Sequence, residues 1–487
     1  MSAPLRRLAV LVPLALLTHL APAGAIDPVA PSLRLTAVET SDVTLYNYGG
    51  HVPLDLGVYV ASVGGDVRID ARAEEHGHAP VANQVDAESG TVLRPIPAEM
   101  LDGWAGLKGF VRVTFTNTTG ALVADQRFTF CPSGWDRQRV DDTGPPAQRY
   151  PSGCSEGFPF LRGMVWGIEE GWATSLFGSE EEGPTGAVSV PRGRYTVRVE
   201  VDPGHATLFG IAEEDAAVEL DVRVRRPPSS SWWSEDPLAD GRLEPQGAAT
   251  EITDPDPSTL PDLAALPAWS IGVRNNARTG RSWLRFAASP WNAGPAPLVV
   301  EGFRSQTQAK TMDAFQYFYD EDGSVVGRAP TGTLVYHDAP GHHHWHFEMF
   351  ALYTLLTQGP DGEEVQRSRK QGYCLVPTDA VDLTVPRAAF GPSLTGLATA
   401  CRGRSALSVR EVLDAGWADT YYQSVAGQAI NITKIPNGTY ILRVTVNPGD
   451  VLHEVTAANN VADRVIRLRG KKGARRVSVE PWNGVRA

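Results

Sequence analysis

Lysine is scarce in this chain. Of its 44 basic residues only six are Lys (Lys108, Lys310, Lys370, Lys434, Lys471 and Lys472), against 38 Arg. Four cysteines in 487 residues exclude a disulfide-dense scaffold. Basic surplus is also missing: 44 Lys and Arg face 56 Asp and Glu, a net charge of -12. That balance argues against a nucleic-acid binder, which neutralises phosphates with an excess of cations. Beyond the first 25 residues no apolar run approaches the ~20 residues that a membrane-spanning helix needs. With 12 Trp, 13 Tyr and 15 Phe, the chain is not poor enough in apolar mass to remain disordered. Its length exceeds one ordinary core and predicts two domains.

Residues 1–25 read as a signal peptide. Arg6 and Arg7 precede the apolar run Leu8 to Leu17, and Ala23-Gly24-Ala25 offers small residues for cleavage. The expectation is a secreted, extracellular protein. Four cysteines in such a chain suggest two disulfides with three possible pairings. Sequence order favours Cys131 with Cys154 and Cys374 with Cys401, one pair on each side of the linker described next.

Residues 226–260 begin Arg226-Pro227-Pro228-Ser229-Ser230-Ser231 and contain Asp254-Pro255-Asp256-Pro257, which predicts an extended linker. On either side lie short alternating runs: Phe110 to Phe115, Tyr195 to Val201, Tyr440 to Val446 and, more loosely, Phe347 to Leu355. Period-two alternation between Gly and Pro punctuation predicts antiparallel sheet with one wet face. The fold class is mostly β, two sandwich-like domains at 27–225 and 261–470 with a basic tail at 471–487. A short helix is expected at Leu407 to Ala415.

The two domains share a pattern. Gly171-Trp172-Ala173 and Gly416-Trp417-Ala418 lie 245 residues apart, and the same offset aligns Pro191-x-Gly193-x-Tyr195 with Pro436-x-Gly438-x-Tyr440. Over 34 ungapped positions 12 are identical, and each segment follows a cysteine pair at similar distance. This predicts an internal duplication.

Five of the 11 histidines fall within ten residues: His337, His342, His343, His344 and His346. In an extended segment His342, His344 and His346 share one face, and His343 points away. Three imidazoles in strict alternation predict a metal site. Imidazole suits copper and zinc alike, and spacing alone does not choose between them.

Residues 260–470 resemble the lysyl oxidase catalytic domain. The resemblance rests on Leu260-Pro261-Asp262-Leu263, Trp283-Leu284-Arg285-Phe286 with Asn292-x-Gly294, and the His342-x-His344-x-His346 triplet. It continues through Lys370-x-x-x-Cys374-Leu375, Asp419-Thr420-Tyr421, Pro436-Asn437-Gly438-x-Tyr440-Ile441-Leu442 and Asn459-Asn460-Val461. One departure is Trp417, which stands where the family often has a cysteine. The resemblance implies Cu(2+) on His342, His344 and His346. It also implies a lysine tyrosylquinone cross-linked from Lys370 and Tyr421, and Asp419 as catalytic base. The implied reaction converts a primary amine, free or in a lysyl protein, to an aldehyde, with O2 as oxidant and ammonia and hydrogen peroxide released. The alternative is a non-enzymatic exported copper-binding or adhesion protein, which needs the His triplet but no Lys–Tyr pair. At the 245 offset Asp419 and Tyr421 become Thr174 and Leu176, and Arg127 stands four residues before Cys131 as Lys370 does before Cys374. The first domain is therefore expected to be a degenerate, non-catalytic copy.

Overall fold

A computed structural model describes residues 30–487 apart from 135, 141–143, 146–147, 156, 178–185, 227–248, 306–308, 338–343, 360–361, 371, 389, 391–397, 405, 426 and 483–487. The expected signal peptide, most of the expected linker, and His342 and His343 lie outside the described residues. Among the described residues the chain is mostly β, in several antiparallel sheets, with one α-helix at Pro203–Phe209 and no closed barrel.

The alternating runs form strands for the reason their pattern suggests. In Gly193–Val201 the side chains of Tyr195, Val197, Val199 and Val201 are buried, while Arg194, Thr196 and Arg198 face water. Gly438–Val446 repeats this with Tyr440, Leu442, Val444 and Val446 inside. In both strands the tyrosine hydroxyl donates to the carbonyl of a proline four residues back, Pro191 at 2.7 Å and Pro436 at 3.0 Å.

Strand order is shared between the two halves. One sheet of the first half runs Ala217–Arg225, Gly193–Val201, Leu107–Asn117, Leu122–Phe130. Its counterpart runs Val461–Lys471, Gly438–Val446, Ala351–Thr357, Glu364–Arg367. The outer neighbours differ: Val43–Tyr46 joins the first sheet in parallel, and Ala474–Val479 joins the second antiparallel. A second pair of sheets agrees likewise. Gly163–Ile168, Val67–Arg72, Val81–Val85 and Val92–Ile96 follow the order of Ser408–Leu413, Leu298–Phe303, Thr311–Tyr319 and Val325–His337. The second-half sheet then adds His344–Glu348 and Gly372–Tyr373. These two additions carry candidate site residues or flank them.

Two local expectations are corrected. Residues 408–413 form a strand, Ser408–Leu413, and not a helix. β-branched Val409 and Val412 and burial on both faces suit a strand beside Leu298–Phe303, and the polar Arg410 and Glu411 imitate helical spacing. The run Phe347 to Leu355 is two strands in different sheets. Met349 takes a left-handed φ of 63° between them, so the chain turns from the histidine strand into Ala351–Thr357.

Residues 31–487 form one compact unit. Leu266, Trp291, Ala380, Val381, Leu383 and Ala418 of the second half pack in the same hydrophobic cluster as Phe160, Trp166 and Val197 of the first. The end of the expected linker is also packed: the Ile252 amide donates to the Arg328 carbonyl at 2.9 Å. Cys131–Cys154 and Cys374–Cys401 are both disulfide-bonded, as sequence order favoured.

Candidate functional site

The site assembles where the second half departs from the first. The strand His344–Glu348 alternates as its sequence predicts: Trp345 and Phe347 are in the core, and the His344 and His346 rings lie 4.8 Å apart. Pairing sets His344 opposite His337 and His346 opposite Val335. His337, passed over as a ligand in the sequence, stacks on His346 at 4.5 Å. Among the described residues no group of three His, Cys, Asp or Glu is arranged to hold a metal ion. The predicted triplet has its third member, His342, outside the described residues.

Lys370 follows the edge strand Glu364–Arg367 and turns inward, only 7% exposed. Its Nζ donates to the Gly372 carbonyl at 3.1 Å and lies 4.2 Å from the centroid of the Tyr421 ring and 4.7 Å from that of Tyr373. Burial lowers its pKa from 10.5 to about 8, against the opposing pull of Asp419 and Glu411. Gly427, with φ +86°, lets the chain pass over Lys370: an added Cβ there would stand 3.3 Å from Lys370 Cβ. The connection to the histidines runs through Gly372, where an added Cβ would stand 3.5 Å from His346 Nδ1.

Tyr421 is half-buried. Its backbone pairs with Ala288, its hydroxyl donates to the Cys374 carbonyl at 3.0 Å, and its ring meets Tyr373 edge-on at 4.8 Å. Burial pushes its phenol well above the ordinary range, and the Asp419 carboxylate pushes it further. Asp419, two residues earlier, is 2% exposed, and its Oδ2 has no hydrogen-bond partner. Burial raises its carboxyl well above the usual range, and the Lys370 charge pulls it back. Lys370, Asp419 and Tyr421, separated by up to about fifty residues of sequence, are thus brought together.

Glu411 completes the cluster and was missed in the sequence. It is fully buried and accepts the amides of Phe347 and Leu375, each at 3.1 Å. Burial raises its carboxyl well above the ordinary value, despite those two amides. Because Phe347 follows His346 and Leu375 follows Cys374, this one side chain ties the histidine strand to the lysine segment. Its position in the first half is held by Trp166 at the 245 offset, so the repeat carries a signal that Glu411 is particular to this half.

Fold and cluster define a class: a disulfide-bonded, mostly β chain in which a buried amine lies against a tyrosine ring beside a buried carboxyl and a row of imidazoles. Comparison with known proteins narrows this. The lysyl oxidase family profile matches residues 324–477, and this stretch is a lysyl oxidase family segment. The chain is similar to human lysyl oxidase homolog 3, at 30% identity over 136 residues, covering 27% of this chain and 15% of that protein. It is similar to mouse lysyl oxidase homolog 4, at 32% over 140 residues, 28% of this chain and 15% of that protein. The match thus spans about 15% of the length of these relatives. Dimeric latent PorU from Porphyromonas gingivalis aligns over 86% of this chain and 33% of that one, at 11% identity and a TM-score of 0.09, a likeness that carries no argument.

Proposed function

We propose that this chain is an exported copper-dependent amine oxidase that converts primary amines, peptidyl lysine or small amines, to aldehydes with release of ammonia and hydrogen peroxide. The observation that carries the reading is the Lys370 amine 4.2 Å from the Tyr421 ring. The donor set fits copper: imidazole nitrogens favour Cu(II) among the common divalent ions. His344 and His346 share a face one residue pair from the lysine segment, and His342 would complete the set. Copper with O2 would supply the oxidation that links Tyr421 to Lys370, and the resulting lysine tyrosylquinone would supply the electron sink.

The chain's own groups have distinct tasks. Burial keeps Lys370 poised: with a pKa of about 8, roughly a tenth of the amine is neutral and nucleophilic at pH 7. The Cys374 carbonyl and the Tyr373 ring fix Tyr421 in plane and tilt. Asp419, buried with its Oδ2 outside any hydrogen bond and two residues from Tyr421, is the group that would take the proton from the substrate carbon bearing the amine. The protein's excess of acid attracts protonated amines.

The first half supports a reading as a non-catalytic copy of the same architecture. It follows the same strand order, but Thr174, Leu176 and Trp166 stand where the second half has Asp419, Tyr421 and Glu411. His76 of the first half is engaged with the Phe160 carbonyl at 2.8 Å and meets the Trp291 ring edge-on.

The test is peptide mass spectrometry of copper-loaded protein with a peroxide assay on a small primary amine. A cross-linked Lys370–Tyr421 peptide with amine-dependent peroxide is expected. Copper bound without either would leave the binding-protein alternative and overturn the oxidase.

A further inference from the structure

The segment from Thr378 to Thr384 lies between the first half and the proposed base. On one side it pairs with the residues that lead into Asp419. Asp379 and Ala380 are in register with Ala418 and Trp417. The amides of Val381 and Asp382 donate to the Gly416 carbonyl at 2.9 and 3.1 Å, and the Thr420 amide donates to Thr378 Oγ1 at 2.7 Å. A pairing two residues long is too short to hold its own register.

On its other side the first half supplies what is missing. The amides of Arg162 and Gly163 donate to the Val381 carbonyl at 2.7 and 3.2 Å, and the Leu383 amide donates to the Gly163 carbonyl at 2.8 Å. Gly163 and Asp382 form a parallel bridge. Asp382 is fully buried and faces Arg72 at 3.6 Å and Arg162 at 3.9 Å. Arg72 also donates to Thr384 Oγ1 at 2.7 Å. Contact is so close at Gly163 that an added Cβ would collide with Asp382 Oδ1 and stand 2.7 Å from Thr384 Oγ1. A second line runs through rings: Phe158 meets Trp269 at 6.1 Å, and Trp269 meets Tyr422 at 5.6 Å. Trp269 Nε1 donates to Ser289 Oγ, which in turn accepts the Thr420 hydroxyl. A mere spacer would touch its neighbour through a polar, solvated surface. Here a buried carboxylate and a shared core make the contact.

We propose that the first half is a positioning part of the catalytic site. Through Arg72, Arg162 and Gly163 it clamps residues 378–384, and these hold Asp419 and Tyr421 in place for proton removal. The inference rests on the amine-oxidase reading for its consequence in turnover, and on the clamp alone for its consequence in backbone protection.

The test is Gly163→Ala in the full chain, read three ways: hydrogen exchange at the Thr420 and Tyr421 amides, thermal midpoint, and kcat and KM with a small amine. Expected are exchange at Thr420 and Tyr421 about tenfold faster, with the amides of Tyr440 and Leu442 unchanged. A kcat lower by about tenfold or more, with KM within about twofold, is expected because an ångström of misplacement is costly to proton transfer. Unchanged exchange at Thr420 with an unchanged kcat overturns the proposal, even if the midpoint falls. If that variant does not fold, Arg162→Met removes one cation facing Asp382 and leaves the backbone clamp. It should move exchange and kcat the same way by about threefold, and no movement in either overturns the clamp. Exchange needs no turnover, so parent protein without amine-dependent peroxide would sink the oxidase reading and leave the clamp to be judged on exchange.

Discussion

Replacing Lys370 with Met should stabilise the copper-free, uncross-linked protein while abolishing its chemistry. The folded-state pKa is about 8 against 10.5 for the ordinary side chain, a depression of about 2.5 units. At 1.36 kcal/mol per unit, holding this ammonium in the folded protein costs about 3 kcal/mol at pH 7. Methionine fills similar space without charge, but it gives up the hydrogen bond to the Gly372 carbonyl, worth about 1 kcal/mol. The variant is therefore expected to be more stable by about 2 kcal/mol at pH 7. Between pH 8 and 10.5 the unfolded chain binds more protons at this residue than the folded one, so parent stability rises with pH across that window. The advantage of the variant should shrink there, reach zero at about pH 10 and reverse above it, where only the lost hydrogen bond remains. Urea denaturation of both proteins at pH 7 and pH 10 measures the gap. A gap that does not change with pH, or a variant less stable than the parent at pH 7, would refute the reasoning.

Asp419→Asn should leave the Lys370–Tyr421 cross-link detectable by mass spectrometry but lower kcat by a factor of about 10²–10⁴, measured as peroxide release, because the base is gone and the shape kept. His344→Ala and His346→Ala should each lower the copper content per chain, read by atomic absorption, and leave Lys370 and Tyr421 as separate unmodified peptides. Glu411→Leu strands the buried amides of Phe347 and Leu375 and should destabilise the fold by roughly 2–5 kcal/mol, measured by chemical denaturation.

What the sequence revealed was local or repeated. The strands Gly193–Val201 and Gly438–Val446 show their alternation directly, and the 245-residue offset appears before any pairing is known. Lys370, Asp419 and Tyr421 were picked out through resemblance, since none is distinctive alone. What stayed hidden depends on pairing between distant strands. His337 joins His346 only because a hairpin register brings it there. Glu411 was concealed by the helical reading of its segment, since an acid among valines signals neither burial nor the two amides it accepts. The break at Met349 was invisible because an apolar run continues across a change of sheet. Gly163 looks like any strand glycine until Asp382 is set against it.

The disulfides and the clamp operate on very different lengths of chain. Each disulfide closes a loop within its own half, 23 and 27 residues long, and can form as soon as that stretch emerges. The contact of Arg72 with Thr384 spans 312 residues, and closing it carries the entropy of that whole loop. Oxidative bridging of each half is therefore expected to precede assembly around Asp419, which has the longer loop to close. A chain interrupted after its second disulfide would hold both cross-links and still lack Asp419 and Tyr421, because both lie beyond Cys401. Joining Lys370 to Tyr421 would then serve as a covalent record that the chain has been made at least through Tyr421 and that the two segments have met.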